Sequence, residues 1–206
     1  ALPGERFDVV IMADVLEHLD DDVLALREYA RVVAPGGTVL LTVPAYNFVW
    51  SEHDERAAHR RRYTATAITD VARAAGLACD NGIVVDELLR TSDAAILALG
   101  DCASFPAHGS GRRLRLESVQ TANDQARTAL ATLTGQHEPY RALPWFWSEQ
   151  GSLRLQMAGL MPEGGTRHRR PGATPASFSI LHYAGDRLAC VESVNAPLDH
   201  MASRKL

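Results

Sequence analysis

The segment AAGLACDNGIVVDELLRTSDAAILALGD, residues 74–101, decides how this chain is divided. It begins as the tail of a helix, passes the turn dipeptide Asn81-Gly82, and continues as a short β-branched strand, IVVD. The apolar run AAILALGD is predicted to be a second strand, and it ends in Gly100 and Asp101. A glycine there lets the backbone approach a ligand, and the aspartate offers a carboxylate to ligand hydroxyls.

A strand, a helix and a second strand are predicted before this segment. FDVVIMADVL, residues 7–16, is a continuous apolar run, typical of a parallel strand buried on both faces. Asp20 to Asp22 provide helix N-cap acceptors, and APGG, residues 34–37, ends the helix. TVLLTVPA, residues 38–45, is the second buried strand, so the whole forms a βαβ unit.

A helix and an antiparallel sheet are predicted after it. ESVQTANDQARTALATL, residues 117–133, has a reasonable N-cap at Ser118. Its predicted apolar side consists of Val119, Ala122, Ala126, Ala129 and Leu133. From Ser152 the pattern alternates, residues 176–195 read as a hairpin turning at 184–186, and residues 196–206 close as a helix. This part is expected to be an α+β domain with an antiparallel sheet.

The composition limits the possible functions. The chain has 206 residues, 46% of them hydrophobic, and a formal net charge of -4, so binding to nucleic acid is not expected. No apolar run has the length of a membrane helix, and three widely spaced cysteines favour a reducing cytoplasm over a disulfide framework. The first residues, without a Met or signal pattern, suggest a truncated beginning. His53, Asp54 and His59 lack helical metal-ligand spacing, so no metal site is predicted.

Residues 1–77 resemble the C-terminal half of a class I S-adenosylmethionine-dependent methyltransferase. The resemblance rests on DVV…VLEHL, PGGTVLLTVP and HD…HRRRY. It implies an α/β piece with a partial Rossmann-like parallel sheet, and it places Asp14, Glu17 and His18 beside the S-adenosylmethionine crevice. Equally open is that Glu17 and His18 merely begin a helix. The family's glycine-rich loop and its acidic residue after the second strand do not occur here, so methyl transfer by this chain alone is not expected.

Residues from about 75 to 206 resemble the C-terminal part of FAD-dependent, NADH-dependent ferredoxin reductases that serve oxygenases and cytochromes P450. The motifs, in order, are GIVVDELLRTSDAAILALGDCASFP, ESVQTANDQARTALATLTG and PYRALPWFWSEQ. The resemblance implies that Gly100 and Asp101 meet the ribityl chain of FAD, and that the N–H of Val119 points at the flavin pyrimidine edge. It also implies that Trp147, chosen over Trp145, lies near the flavin ring, and that the electron acceptor is an iron–sulfur protein of the ferredoxin type.

Simpler interpretations remain beside these roles. Val119 is also predicted to be the first core residue of its helix, and both tryptophans suit an ordinary core. Arg167 to Arg170, RHRR, fit a solvated loop better than a docking patch for an acidic partner. Cys102 and Cys190 are expected to be inert core residues.

The expected organisation is therefore composite, with the junction at residues 74–77. Residues 1–77 are a methyltransferase-like fragment, 78–140 the tail of an FAD-binding domain, and 141–206 the reductase C-terminal domain. The main hypothesis is a ferredoxin reductase fragment; the others are a methyltransferase fragment and a non-catalytic partner-binding remnant. No G-x-G-x-x-G occurs in the 206 residues, so the isolated chain is expected to be inactive.

Overall fold

Two parallel strands, β1 (Phe7–Ala13) and β2 (Val33–Thr42), begin the computed structural model, which describes residues 6–108 and 111–205. Helix α1 (Asp22–Arg31) connects them, and Asp21 caps it by accepting a 2.8 Å hydrogen bond from the N–H of Leu24. The predicted βαβ unit is thereby confirmed. Both strands lie in the first of two compact units, Ala1–Arg141 and Ala142–Leu206.

The predicted burial of the first strand is wrong. Ile11 is 66% exposed, and Phe7 and Val9 are more than two-fifths exposed, whereas Met12 is buried. Within the described residues β1 pairs with β2 alone, so no second strand covers its other edge. The start of β2 also differs, since APGG lies inside the strand, where the pairing register shifts between Phe7 and Val9.

Two helices follow β2, and the longer one supplies part of the core. They are α2 (Glu52–Arg56) and α3 (Ala65–Ala74). Thr64 caps α3 by accepting a 3.0 Å hydrogen bond from the N–H of Ala67. The helix buries Ile68, Val71 and Ala72, as its periodic apolar positions require.

A small three-stranded sheet comes next. β3 (Ile83–Val84) pairs in parallel with β4 (Ala103–Pro106), which pairs antiparallel with β5 (Arg113–Leu114). The predicted strand IVVD is thus only two residues long. The strand after the Gly-Asp turn was not anticipated from the sequence.

The apolar run at residues 94–101 is not the continuous strand that the sequence predicts. Only isolated bridges occur, a parallel one between Val39 and Ile96 and an antiparallel one between Arg90 and Leu97. A turn at Asp93, whose carboxylate accepts from the N–H of Ala95, and a 3₁₀ turn at residues 100–102 shorten the extended part. Ile96 and Leu97 are nevertheless buried, and the bridge at Val39 joins this segment to β2.

Helix α4 (Val119–Leu133) begins where predicted, but its buried side differs. Val119 is 60% exposed and Ala126 is exposed, whereas the buried positions are Gln120, Thr121, Gln125 and Ala129. This side faces loop backbone, which requires hydrogen bonds. Gln125 accepts from the N–H of Gly100, and the hydroxyl of Thr132 donates to the carbonyl of Leu88. Ala129 is buried as predicted, and polar side chains take the other buried positions.

The second unit is a five-stranded antiparallel sheet with one helix. Its strands run in the order β6-β7-β10-β9-β8, and every pairing is antiparallel, as predicted. The sheet consists of β6 (Trp145–Gln150), β7 (Leu153–Gly159), β8 (Thr166–Pro171), β9 (Phe178–Ala184) and β10 (Arg187–Val194), followed by α5 (Pro197–Ser203). The hairpin turn falls at residues 185–186, within the predicted position.

The arginine-rich segment is a strand and not the predicted loop. Residues 167–170 lie in β8, at the edge of the sheet, and every residue of that strand is exposed. Its ladder with β9 explains the difference, since backbone pairing needs no apolar side chains. Elsewhere in the described chain, no helix combines the length and apolarity required to cross a membrane, and Cys79, Cys102 and Cys190 are all free.

Candidate functional site

The turn at Gly100 and Asp101 is held in place by helix α4. Gly100 has φ +72°, a left-handed conformation that favours glycine. Its N–H donates a 2.7 Å hydrogen bond to Oε1 of Gln125, and both residues are buried. The helix therefore fixes the direction in which Asp101 leaves the turn.

The carboxylate of Asp101 lies in a partly desolvated, acidic setting. Burial raises its pKa, the nearby Glu117 raises it further, and Arg115 opposes both. Arg115 also donates a 3.2 Å hydrogen bond to the backbone carbonyl of Asp101 and forms an ion pair with Glu117. The side chain is half-buried, so its oxygens can accept hydrogen bonds from a ligand.

Helix α4 begins directly after Glu117 in the sequence, with Ser118 as its N-cap. Ser118 accepts a 3.1 Å hydrogen bond from the N–H of Thr121, which satisfies one of the free N–H groups of the first turn. Val119 is 60% exposed, so the interpretation of this residue as a core position is wrong. Its N–H lies at the positive end of the helix dipole.

A cavity of about 280 Å³ adjoins the turn. Residues from both sides of the predicted junction line it, among them Tyr46, Tyr63, Leu99, Gly100, Asp101 and Ala122. The hydroxyl of Tyr46 donates a 3.4 Å hydrogen bond to Glu117. The hydroxyl of Tyr63 donates to Asp22 at 2.9 Å, and burial raises its pKa.

Trp147 lies in the second unit, on β6. Its ring stacks on that of Trp145 with centroids 5.4 Å apart and an interplanar angle of 28°. The guanidinium of Arg204 lies 4.3 Å from the centroid of Trp145. Both tryptophans are half-buried, so part of their ring surface stays open to a ligand or partner.

Asp14, Glu17 and His18 follow the carboxyl end of β1. Asp14 is exposed, and its carboxylate accepts a 3.1 Å hydrogen bond from the hydroxyl of Thr42. His18 is half-buried, whereas Glu17 has no exposure at all. Asp14 and His18 are therefore open to a crevice ligand, while the Glu17 carboxylate points into the protein. Glu17 and His18 lie in a 3₁₀ turn at residues 16–18, which is separate from α1 and does not begin that helix.

A buried polar cluster around Asp54 was only partly visible in the sequence. Asp54 accepts hydrogen bonds from Nε and Nη2 of Arg62 at 2.7 and 2.9 Å, and from Nδ1 of His59 at 2.8 Å. The Arg62 guanidinium holds the pKa of the Asp54 carboxyl well below its usual range. His53 is exposed and forms none of these hydrogen bonds, although its ring meets that of His59 edge-on with centroids 6.1 Å apart. The H-x-R-R-Y spacing was the available signal for Arg62.

Three family models match successive parts of the chain. A methyltransferase domain matches residues 1–81, a pyridine nucleotide-disulphide oxidoreductase matches residues 64–126, and a reductase C-terminal domain matches residues 145–206. The first two overlap at residues 64–81, which include the predicted junction. The composite resemblance is therefore confirmed.

The curated relatives are ferredoxin reductases. Rhodocoxin reductase of Rhodococcus erythropolis is 53% identical over 137 residues, which make up 66% of this chain and 32% of the relative. Putidaredoxin reductase CamA of Pseudomonas putida is 40% identical over 137 residues, with the same coverage. The chain thus spans about a third of the length of the curated relatives it matches.

Solved structures of the same kind overlay on nearly the whole chain. The ferredoxin reductase for the CYP199A2 system from Rhodopseudomonas palustris gives a TM-score of 0.64 at 30% identity, covering 96% of this chain and 59% of the other. The covalent putidaredoxin reductase–putidaredoxin complex gives 0.63 at 25% identity, covering 98% and 58%. Coverage this high includes most of residues 1–77, although that part matches a methyltransferase model.

Proposed function

We infer that the chain from about residue 75 onward is part of an FAD-dependent ferredoxin reductase, and we propose that it serves electron transfer from NADH through FAD to an iron–sulfur protein. The 53% identity to rhodocoxin reductase carries this proposal. The turn tied to helix α4 supports it, because an acidic residue and a helix N-terminus are presented side by side.

The described residues fit the flavin end of the cofactor. The half-buried Asp101 offers acceptor oxygens for the ribityl hydroxyls, and the left-handed Gly100 forms the turn from which it extends. The 206 residues contain no glycine-rich loop for the FAD pyrophosphate. We therefore propose a partial FAD site, with weak affinity and no turnover by the chain alone.

Two further groups act on the ring. FAD, when bound, accepts hydride from NADH and releases electrons to the acceptor. The N–H of Val119, at the positive end of α4, favours the negative charge of the reduced pyrimidine edge by about 0.3–1 kcal/mol. By the resemblance to the reductases, Trp147 is also one of the FAD-contacting residues, and its ring is partly open. The free cysteines agree with a reducing, cytoplasmic setting.

The first segment has a second candidate function. Its match to a methyltransferase domain favours weak S-adenosylmethionine binding at Asp14 and His18, which are open at the end of β1. The parallel pair β1–β2 and the bridge from Val39 to Ile96 support a Rossmann-like arrangement of the sheet. In this proposal β2 is the strand that lies beside the segment leading to Asp101, in the position that another strand of a Rossmann-like sheet would occupy.

Titration of the purified full chain with FAD tests the main proposal. We expect saturable quenching of flavin fluorescence, with an affinity that is weaker in Asp101→Asn by on the order of 10- to 100-fold, since one charge-assisted hydrogen bond contributes roughly 1.5–3 kcal/mol. Asp80→Asn is the matched control, because Asp80 is exposed in the same unit. Absence of FAD binding in the folded wild type would leave the partner-binding remnant as the better description. If Asp101→Asn bound FAD as tightly as Asp80→Asn does, Asp101 would not be part of the site.

A further inference from the structure

Glu17 is a buried carboxylate whose two oxygens have no hydrogen-bond partner among the described residues. Its exposed fraction is 0%. A buried charge without a partner is unfavourable, because the protein interior replaces none of the hydration that the charge loses. This side chain therefore needs a cation or a proton close to its oxygens.

His59 lies opposite this carboxylate, and a hydrogen bond to Asp54 on the far side of its ring fixes its orientation. Its Nδ1 is 2.8 Å from Oδ1 of Asp54, which Arg62 also holds through two hydrogen bonds. Asp54 therefore accepts a hydrogen bond from Nδ1–H, and the other ring nitrogen, Nε2, faces Glu17. A carboxylate that holds the far nitrogen of a histidine in this way is the usual support of a metal-binding imidazole.

His18 completes a set of three ligands. Its ring meets that of His59 edge-on with centroids 4.8 Å apart. One ligand atom from each of Glu17, His18 and His59 lies within 4.8 Å of the others. The N–H of Arg60 donates a 2.8 Å hydrogen bond to the carbonyl of Glu17, which joins the two loops that carry these ligands.

We propose that Glu17, His18 and His59 bind a divalent transition-metal ion of the Zn²⁺ type. Two imidazoles and one carboxylate favour zinc over magnesium or calcium, which prefer oxygen ligands. Bonds of about 2.1 Å place tetrahedral ligand atoms about 3.4 Å apart, so small side-chain movements close the site. His18 is half-buried, which leaves a coordination position open to water or a small ligand.

A plain ion pair between protonated His59 and Glu17 explains less of the geometry. Nε2 of His59 is 4.0 Å from Oε1 of Glu17, which is too long for a hydrogen bond. The second oxygen of Glu17 would also stay without a partner. A metal ion, by contrast, would neutralise the carboxylate and take up the free lone pair of His59.

Metal titration of the full chain after removal of bound metal tests the proposal. With Zn²⁺ in calorimetry, we expect one tight site per chain, and with Co²⁺ the visible absorption of a four- or five-coordinate site. Glu17→Gln and His59→Gln should each weaken binding on the order of 100-fold or more. His53→Gln is the matched control. This histidine is exposed, its ring centroid lies 6.1 Å from that of His59, and it is not one of the three ligands.

The stability of the metal-free chain separates a metal site from an ion pair. Glu17→Gln removes an uncompensated buried charge, so without metal its melting temperature should equal or exceed that of the wild type. Zn²⁺ should raise the melting temperature of the wild type and not that of the variant. A lower melting temperature of metal-free Glu17→Gln, or Zn²⁺ affinity equal to that of the wild type, would overturn the proposal. If this variant fails to fold, His18→Gln gives the same comparison of affinities.

Discussion

The backbone N–H of Gly100 donates a 2.7 Å hydrogen bond to the side chain of Gln125, and neither residue is exposed. Twenty-five positions separate them, so the bond fixes a turn of the first unit against the middle of α4. It also determines where Asp101 stands relative to the N-terminus of that helix.

Gln125→Leu should destabilise the first unit by about 1–3 kcal/mol, because a buried N–H loses its acceptor. Urea denaturation followed by circular dichroism measures the change. Asn123→Ala, at an exposed position of the same helix, should change the unfolding free energy by less than about 0.5 kcal/mol. Equal effects of the two substitutions would contradict the anchoring role of Gln125.

Substituting alanine for two isoleucines, each in an apolar run of the sequence, should change the unfolding free energy by different amounts. Ile96 is 4% exposed beside β2, whereas Ile11 is 66% exposed on β1. Ile96→Ala should cost about 2–5 kcal/mol through the cavity that it leaves, and Ile11→Ala less than about 0.5 kcal/mol. Chemical denaturation of both variants measures this; a large loss for Ile11→Ala would mean that the strand is covered.

The second unit should lose stability on acidification through His200. Burial lowers the pKa of this histidine below its ordinary value of 6.5, with Arg204 and Arg154 adding to the effect. The unfolded chain then binds more protons than the folded one once the pH falls below about 6.5, so stability falls as the pH decreases. Above that value the histidine is neutral in both states and the contribution is complete.

Denaturation followed by tryptophan fluorescence at several pH values measures this effect, since Trp145 and Trp147 lie in the same unit. His200→Gln should flatten the acid side of the stability profile. His168→Gln, at an exposed position on β8, serves as control and should keep the slope of the wild type. An unchanged slope in His200→Gln would exclude this histidine as the cause.

Cys190 should resist alkylation in the folded protein. It is 0% exposed in β10, and burial raises the pKa of its thiol to about 11, so almost no thiolate is present at pH 8. Iodoacetamide labelling with mass spectrometry should modify it only after denaturation. Cys79, which is partly exposed, provides the comparison within one chain. Labelling of native Cys190 as fast as in denaturant would contradict its burial.

Much of the architecture was predictable from local patterns. Alternation in residues 152–160 and the turn near Gly185 predicted the antiparallel sheet, and acceptor side chains at Asp21 and Ser118 marked two helix starts. These features depend on periodicity and on residues next to one another in the chain, which a single sequence contains directly.

Burial was predicted less well, and the errors share one cause. The sequence predicts β1 as a buried strand and Val119 as a core residue, yet most of β1 and Val119 are exposed, while the polar Gln125 is buried. Apolarity shows which residues can be buried, but the number of neighbouring strands and the polarity of the facing backbone decide which ones are.

The sequence by itself determined that two protein families are represented in successive parts of the chain. It also determined most of the helix and strand pattern of each part, and the Gly-Asp turn followed by a helix. Only the tertiary structure decided that β2 lies beside Ile96, that Gln125 anchors Gly100, and that Glu17 faces His59 across 42 residues of chain. Such pairings depend on packing between distant segments. Burial and the meeting of polar groups from distant segments decide them, and neither has a spacing that can be read along the chain.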